Sequence, residues 1–465
     1  MIEYQFHPTI LRAYDIRGIV GETLHDKDAY MIGLGFAATI RQGGGKKVVI
    51  GRDGRLSSPD LAQALAQGLV DGGMDVTDIG TGPTPKLYYA DVVLEADGAI
   101  QVTGSHNPPQ HNGFKMVRKH KPFFGDDISA LGQSVAAGVA PAIGGTLVTR
   151  DLQQDYVQNL LDAAGALDGL DGMNIVWDCG NGAAGPSTLD VTAKLRGTHH
   201  VLFPEIDGTF PNHHPDPVDP ATLDLLRAAV KKHDAVIGIG FDGDGDRIGL
   251  IDAKGRQVPG DLLTAYLARA SLRKANGADV IFDVKSSMAA LDAVAQLGGT
   301  PSLWKTGHSH MKMRLKETNA PIAGEMSGHI FIADGYYGFD DAIYAALAVL
   351  REMIASGESI TEFIDSLPEV FATPELRIAC DEEIKFGTVD KVIANVTANP
   401  DDDMIDIANM DGVRVTGEKG WWLIRASNTG AELVARAEGR DIAARDELKG
   451  RIKSRLGEAG LDWEG

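Results

Sequence analysis

Three stretches of the chain share one alternation of apolar and polar positions. Each opens with a short apolar run rich in β-branched residues, reaches an Asp, and passes through a polar turn. Each then continues with apolar residues at helical spacing. The stretches are KVVIGRDGRLSSPDLAQALAQGLVDGG (47–73), NIVWDCGNGAAGPSTLDVTAKLRG (174–197) and DVIFDVKSSMAALDAVAQLGG (279–299). An apolar run followed by an amphipathic period predicts a buried strand and a covering helix, the βα unit of a parallel sheet. The three differ too much to be close copies, so the pattern predicts three α/β domains of similar topology. In open α/β sheets ligands gather beyond the carboxyl ends of the strands. The loops after these runs are therefore the places to look for chemistry.

The pattern changes near the C-terminus. WWLIRAS (421–427) and ELVARAE (432–438) read as strands that lead into a terminal helix, with Ile442, Leu448, Ile452 and Leu456 near one face. This last part is expected to be α+β. Breaks at AAGVAPAIGG (136–145), DAKG (252–255) and SLPEV (366–370) then divide the chain. The expected domains are 1–150, 151–254, 255–368 and 369–465, in keeping with 465 residues and the usual domain size.

Charge narrows the partners. Lys plus Arg number 44 against 65 Asp plus Glu, a net charge of -21. Such a field repels phosphate backbones, so neither a nucleic acid nor an anionic membrane is expected as partner. A small phosphorylated substrate in a local basic pocket remains compatible. Two cysteines, Cys179 and Cys380, make no disulfide framework and suit a reducing compartment. The N-terminal MIEYQFHP has no basic stretch leading into an apolar one, and AIYAALAVL (342–350) is too short to span a bilayer. The expected location is the cytoplasm.

Four loops carry candidate chemistry. In VTGSHNPPQHNGFK (102–115), Asn107 before Pro108 and Pro109 stops any helix, so Ser105 is expected on an exposed turn with His106 and Lys115 near it in sequence. Alone, a Ser–His pair is most simply a solvated turn; no G-x-S-x-G elbow accompanies it, which speaks against acyl transfer. In GIGFDGDGDRIGLID (238–252), Asp242, Asp244 and Asp246 alternate with glycines after an apolar run. Three such carboxylates converge on a hard cation if the backbone curls, and oxygen-only ligation points to Mg²⁺. An EF-hand loop starting at Asp242 would need Gly where Arg247 stands and Glu where Ala253 stands. Arg247 beside a metal cluster suits a phosphate that also touches the metal.

In AGEMSGHIF (323–331), an extended chain would put Glu325 and Ser327 on one side, facing adjacent sugar hydroxyls, with His329 two residues on. KTGHSHMK (305–312) adds Lys305 and His308, each alone an ordinary polar residue. IRASNTG (424–430) gathers Arg425, Ser427, Asn428 and Thr429. That composition suits a phosphate, although the loop alone reads equally well as a strand connection.

Together the motifs identify a family. RAYDIRG (12–18), TGSHNPP (103–109), NGFK (112–115), FPNHHPDP (210–217), DGDGDR (242–247), GEMSGH (324–329) and RASNT (425–429) run along the whole chain in one order. The chain resembles the α-D-phosphohexomutases, most of all their phosphomannomutase/phosphoglucomutase branch. The resemblance implies four domains around a central cleft: three similar α/β domains and a C-terminal α+β domain. It implies a phosphoserine at Ser105 that passes its phosphoryl group to a hexose phosphate. The bisphosphorylated intermediate turns over, and phosphate has moved between O1 and O6.

Asp242, Asp244 and Asp246, with Ser105, would hold Mg²⁺. Lys115 and Arg247 match the residues near the phosphoserine. Lys115, His308 and His329 are candidates for moving the hydroxyl protons. Tyr14, Arg17, Lys285, His308, Glu325, Ser327, His329, Arg425, Ser427, Asn428 and Thr429 are the expected substrate contacts. A hexose 1,6-bisphosphate is the expected activator. The chain departs from the family pattern after RASNT, where Gly430, Ala431 and Glu432 replace the usual polar residue and Pro. His213, His214 and Asp216 mimic a zinc site, but Pro211, Pro215 and Pro217 constrain that loop. Three alternatives compete. Met326, where the amino-sugar branch carries Gln, argues against an amino-sugar mutase. Ser105 with all three Asp argues against a phosphosugar-binding homologue without turnover. A closing fourth domain argues against a phosphatase.

Overall fold

The structure, a computed structural model, describes residues 1–427 and 430–463. It divides into two compact units. One comprises Met1–Gly260 and Ser327–Glu362; the other comprises Asp261–Met326 and Phe363–Gly465.

The first unit contains two sheets that follow the predicted βα plan. Among the described residues the first sheet has seven strands, ordered Ile16–Ile19, His111–Arg118, Gly98–Val102, Lys47–Arg52, Asp75–Thr81 and Thr146–Thr149, with Lys121–Pro122 beside His111–Arg118. From Gly98–Val102 to Thr146–Thr149 the pairs are parallel. His111–Arg118 pairs antiparallel on both sides, placing Lys115 opposite Gln101 and Gly113 opposite Arg17. The central strand Lys47–Arg52 is buried on both faces, which is why its sequence is a continuous apolar run. The helix Ser58–Asp71 follows it, opened by Pro59 in its first turn.

The second sheet runs Gln257–Val258, Ile248–Asp252, Ile237–Phe241, Asn174–Asp178, Thr198–Leu202. Ile237–Phe241 is parallel to Asn174–Asp178 and antiparallel to Ile248–Asp252, so the DGDGDR segment is a tight hairpin connection. The DAKG turn joins Ile248–Asp252 to Gln257–Val258 as a further antiparallel hairpin. Residues 327–362 pack in this unit. Arg247 and His329 form an antiparallel bridge, and Arg351 of the helix Ala342–Ser356 donates to Ala163 O at 3.3 Å. That helix is buried through most of its length, which accounts for its unbroken apolar run.

In the second unit, Asp279–Asp283 lies parallel between Thr300–Trp304 and Ile322–Gly324. The helix Met288–Gln296 follows it, capped by Ser287 Oγ, which accepts from Ala289 N. The C-terminal part is the expected α+β arrangement. Among the described residues it is an antiparallel sheet ordered Phe371–Ala372, Glu432–Gly439, Gly420–Ala426, Val413–Gly417, Met404–Ala408, with Leu376–Ala379 also on Glu432–Gly439. The helices Lys385–Ala398 and Ile442–Glu458 cover it around Trp422. Leu448, Ile452 and Leu456 are buried, but Ile442 is exposed. It is the first residue of its helix. Cys179 and Cys380 are buried free thiols, and no helix among the described residues is long and apolar enough to cross a membrane.

Candidate active site

The loop after the strand Gly98–Val102 carries Ser105. The Pro108–Pro109 tip is exposed as the sequence predicts, but Ser105 itself is 1 % exposed. The expected display of the hydroxyl is thus corrected. The loop curls inward, with Ser105 at φ 51°, and its Oγ donates to Asp242 Oδ2 at 3.0 Å. His106 Nδ1 lies 3.2 Å from the same Oγ.

Asp242, Asp244 and Asp246 are fully buried in the hairpin that follows Ile237–Phe241. Gly245 at φ 72° lets the backbone turn there. Asp242 Oδ1 accepts from the backbone N–H of Asp246 and of Arg247 at 3.1 and 3.2 Å. Asp244 Oδ2 accepts from Thr84 Oγ1 at 2.5 Å and from Lys115 Nζ at 2.7 Å. Lys115 Nζ also reaches Asp246 Oδ2. The three carboxylates bring ligand atoms within 4.8 Å of one another.

The charges are not balanced within this group. Burial, and then the charges of Asp244 and Asp246, push the Asp242 carboxyl well above its ordinary range. Burial also works against the Asp244 carboxylate, but the Lys115 ammonium prevails and holds it below that range. Burial would neutralise Lys115, yet Asp244, Asp246 and Asp242 together raise it. Asp244 Oδ1 and Asp246 Oδ1 are buried and accept no hydrogen bond. Two orphaned carboxylate oxygens in an oxygen-only cluster fit a divalent cation of the magnesium type.

Arg247 and His329 stand beside this group. Arg247 Nε donates to His329 Nε2 at 2.9 Å, and His329 Nδ1 lies 2.9 Å from Asp340 Oδ2. Arg17 Nε donates to Asp15 Oδ2 at 2.8 Å, and its NH1 lies 3.5 Å from Gly104 O. Tyr14 is half-buried in the bend just before. The structure thus brings Ser105, Lys115, Arg17, Arg247, His329 and the three Asp together within one unit.

The remaining residues are placed differently. Met326 and Ser327 form a turn, with Gly328 at φ 86°, so the extended run expected to align Glu325 with Ser327 is absent. Ser327 belongs to the first unit and Glu325 to the second. There Glu325 Oε1 accepts from Gly307 N at 2.6 Å, at the start of the helix His308–Thr318, which His308 opens. Lys285 follows the strand Asp279–Asp283, with Nζ 3.7 Å from Glu375. Arg425 pairs with Asp411, both Nε and NH2 at 3.1 Å. Ser427 O accepts from Lys385 Nζ at 2.7 Å. Asn428 and Thr429 lie outside the described residues.

Sequence reasoning passed over Thr84 and Asp340, and named His106 only as a neighbour of Ser105. Thr84 and Asp340 touch the site from segments without a recognisable pattern. His106 sits inside the quoted TGSHNPP motif. Burial, and then the charges of Arg247, Arg17 and Lys115, drive its imidazole well below its ordinary range, so it is neutral beside Ser105.

A buried hydroxyl, a carboxylate trio and flanking cations on an α/β scaffold are the parts that phosphoryl transfer uses. The family profiles describe the same assembly. Phosphoglucomutase/phosphomannomutase α/β/α domain I matches residues 8–138, domain II 154–255, domain III 259–371, and the C-terminal domain 375–454. The phosphomannomutase/phosphoglucomutase of Pseudomonas aeruginosa is 40 % identical over 449 residues, 96 % of this chain and 95 % of that protein. A phosphoglucomutase of Neisseria gonorrhoeae is 39 % identical over 448 residues, covering 96 % of each chain. The crystal structure of a phosphoglucomutase/phosphomannomutase family protein from Burkholderia thailandensis superposes with a TM-score of 0.90 at 37 % identity, covering 98 % of each chain. The chain belongs to the phosphoglucomutase/phosphomannomutase family, with the four domains of that family.

Proposed function

We propose that this chain moves a phosphoryl group between O1 and O6 of glucose and mannose phosphates, with Ser105 as the covalent carrier. The activity class is that of the family, a phosphohexomutase, which is an isomerase. The observation that carries the reading is the buried Ser105 Oγ, 3.0 Å from Asp242 in a carboxylate trio that Lys115 only partly neutralises.

In the first half-reaction a sugar hydroxyl attacks the phosphorus on Ser105. A new O–P bond forms, the Oγ–P bond breaks, and the hydroxyl proton ends on Ser105 Oγ. The second half-reaction reverses this at the other phosphate of the bisphosphorylated sugar. Lys115, Arg247 and Arg17 supply positive charge where the phosphoryl oxygens pass. Mg²⁺ held by Asp242, Asp244, Asp246 and the Ser105 oxygen would offset the charge on the transferred group. His106, neutral and 3.2 Å from Oγ, is placed to exchange the serine proton; His329 and His308 are further candidates for the sugar hydroxyls. Tyr14, Lys285, Glu325 and Ser327 are assigned to the sugar. Arg425 and Ser427, with Asn428 and Thr429, are assigned to the phosphate not being transferred. A hexose 1,6-bisphosphate would recharge Ser105 after loss of the intermediate.

The test is the intact mass of the purified protein before and after excess glucose 6-phosphate, and again after glucose 1,6-bisphosphate. One phosphate on Ser105, removed by the first and restored by the second, is expected. A serine unmodified in all three states overturns the reading.

A further inference from the structure

A third arginine stands behind Ser105, and nothing in the reaction outlined above uses it. Arg55 lies in the turn after the strand Lys47–Arg52, and its side chain is wholly buried. A guanidinium carries five N–H donors, and all five are engaged. NH2 donates to Ser105 O at 2.7 Å and Asn107 O at 2.6 Å. NH1 donates to Pro108 O at 2.6 Å and His111 O at 3.0 Å. Nε donates to Asp53 Oδ2 at 3.2 Å. No donor is left for a substrate phosphate, so the whole fork is given to the serine loop.

Asp53 completes the grip. Its Oδ2 also accepts from Thr103 Oγ1 at 2.8 Å and Gly104 N at 3.1 Å, and Thr103 Oγ1 in turn accepts from Ser105 N at 2.8 Å. Its Oδ1 accepts from Arg55 N at 3.0 Å and Ser58 Oγ at 2.5 Å. The loop runs so close that a Cβ on Gly104 would lie 2.4 Å from the Arg55 guanidinium carbon. Phe210, from the FPNHHPDP motif, covers the guanidinium face at 5.3 Å.

Ser105 needs such a grip. Its φ of 51° is left-handed, a conformation that a residue with a side chain holds only when its surroundings impose it. We propose that Arg55 and Asp53, capped by Phe210, are positioning residues that hold Ser105 in this conformation and so aim its Oγ for phosphoryl transfer. The inference rests on Ser105 being the phosphoryl carrier. It also gives the FPNHHPDP motif a role unrelated to metal.

The test follows Ser105 phosphorylation by glucose 1,6-bisphosphate, using intact mass on quenched samples of full-length protein. Arg55→Lys keeps the charge and loses the fork. Its phosphorylation rate and kcat are expected to fall about a hundredfold, the cost of a roughly 1 Å misplacement of a reacting group. The plateau of phosphorylation and the KM for glucose 1-phosphate should stay close to wild type. Phe210→Leu, a milder change that spares the fold, should lower the rate by a few-fold at unchanged plateau. A lower plateau reached at the wild-type rate would mean that Arg55 only supports folding, and would overturn the proposal. So would wild-type rates in both variants. If wild-type protein takes no phosphate on Ser105, it is the carrier reading itself that fails.

Discussion

Around Asp242, Asp244 and Asp246 three buried carboxylates share a single lysine, and two of their oxygens accept no hydrogen bond. The second unit buries charge on other terms. Arg414 donates to Val284 O and Ser286 O and stacks on Trp421 at 3.8 Å. Glu438 accepts from Ser287 Oγ, Met288 N and Trp421 Nε1. Arg425 meets Asp411 one for one. Unpaired charge in a low-dielectric site is costly, so it persists where a ligand is to supply the missing charge. In the second unit backbone carbonyls, neutral donors and one ion pair meet the charges just named. The difference accords with the proposal that the phosphoryl group is transferred beside the carboxylate trio.

The comparison breaks most simply at the serine. Ser105→Ala should lower mutase turnover at least about ten-thousandfold with an unchanged circular dichroism spectrum, since Thr84 Oγ1, another hydroxyl among the carboxylates, is held on Asp244 Oδ2. Retained turnover in a coupled assay would remove the first unit from the chemistry. Asp244→Asn takes one charge from the trio and a partner from Lys115. It should slow phosphoryl transfer about a hundredfold or more, while KM for glucose 1-phosphate changes little. Chelation of the wild-type protein should act in the same direction, and full activity without divalent metal would contradict the cation fit.

The three βα units are legible in sequence because a doubly buried parallel strand must be an apolar run and its helix must carry an apolar face. The carboxylate trio is legible because its spacing is local. What the sequence hides is long-range. The inward curl of Ser105 depends on Asp53 and Arg55, some fifty residues earlier, as the bonds to Thr103 and Ser105 show. The packing of residues 327–362 with the first unit depends on Arg247 and His329, 82 residues apart. No local periodicity encodes these features.

Arg425 tests the matched side. Arg425→Ala should lower kcat/KM about ten- to hundredfold, mainly through KM, because a bidentate charged contact to phosphate is lost. The effect should be similar with glucose 1-phosphate and glucose 6-phosphate, as the remote phosphate is the same kind of group in both orientations. A loss with only one of them would restrict Arg425 to one half-reaction. Asp411→Asn should act the other way and more weakly. It keeps an acceptor for Thr306 N, which now donates to Asp411 at 3.1 Å. It also frees the guanidinium from a competing carboxylate, so KM should fall by up to about fivefold, the scale of a partly exposed ion pair. A raised KM would show that Asp411 aims Arg425 more than it competes for it.

The smallest effect concerns a third way of burying a carboxylate, at Asp341 in the first unit. No cation among the described residues pairs with it. Tyr156 and Tyr336 donate to its Oδ2 at 2.9 and 2.7 Å, and Tyr344 N donates to Oδ1 at 2.9 Å. Burial outweighs these bonds and raises its carboxyl to about 6. The folded state therefore binds the proton more tightly than the unfolded state does. Its stabilising contribution is complete below about pH 4 and is lost as pH rises through about 6. Above that pH the ionised group costs up to about 3 kcal/mol, taking two pK units at their full value. Asp341→Asn cannot ionise, so its thermal midpoint relative to wild type should rise by about 2–6 °C between pH 4.5 and pH 7.5, with kcat unchanged. A difference that stays flat across this range would mean that the tyrosine bonds alone compensate the buried charge.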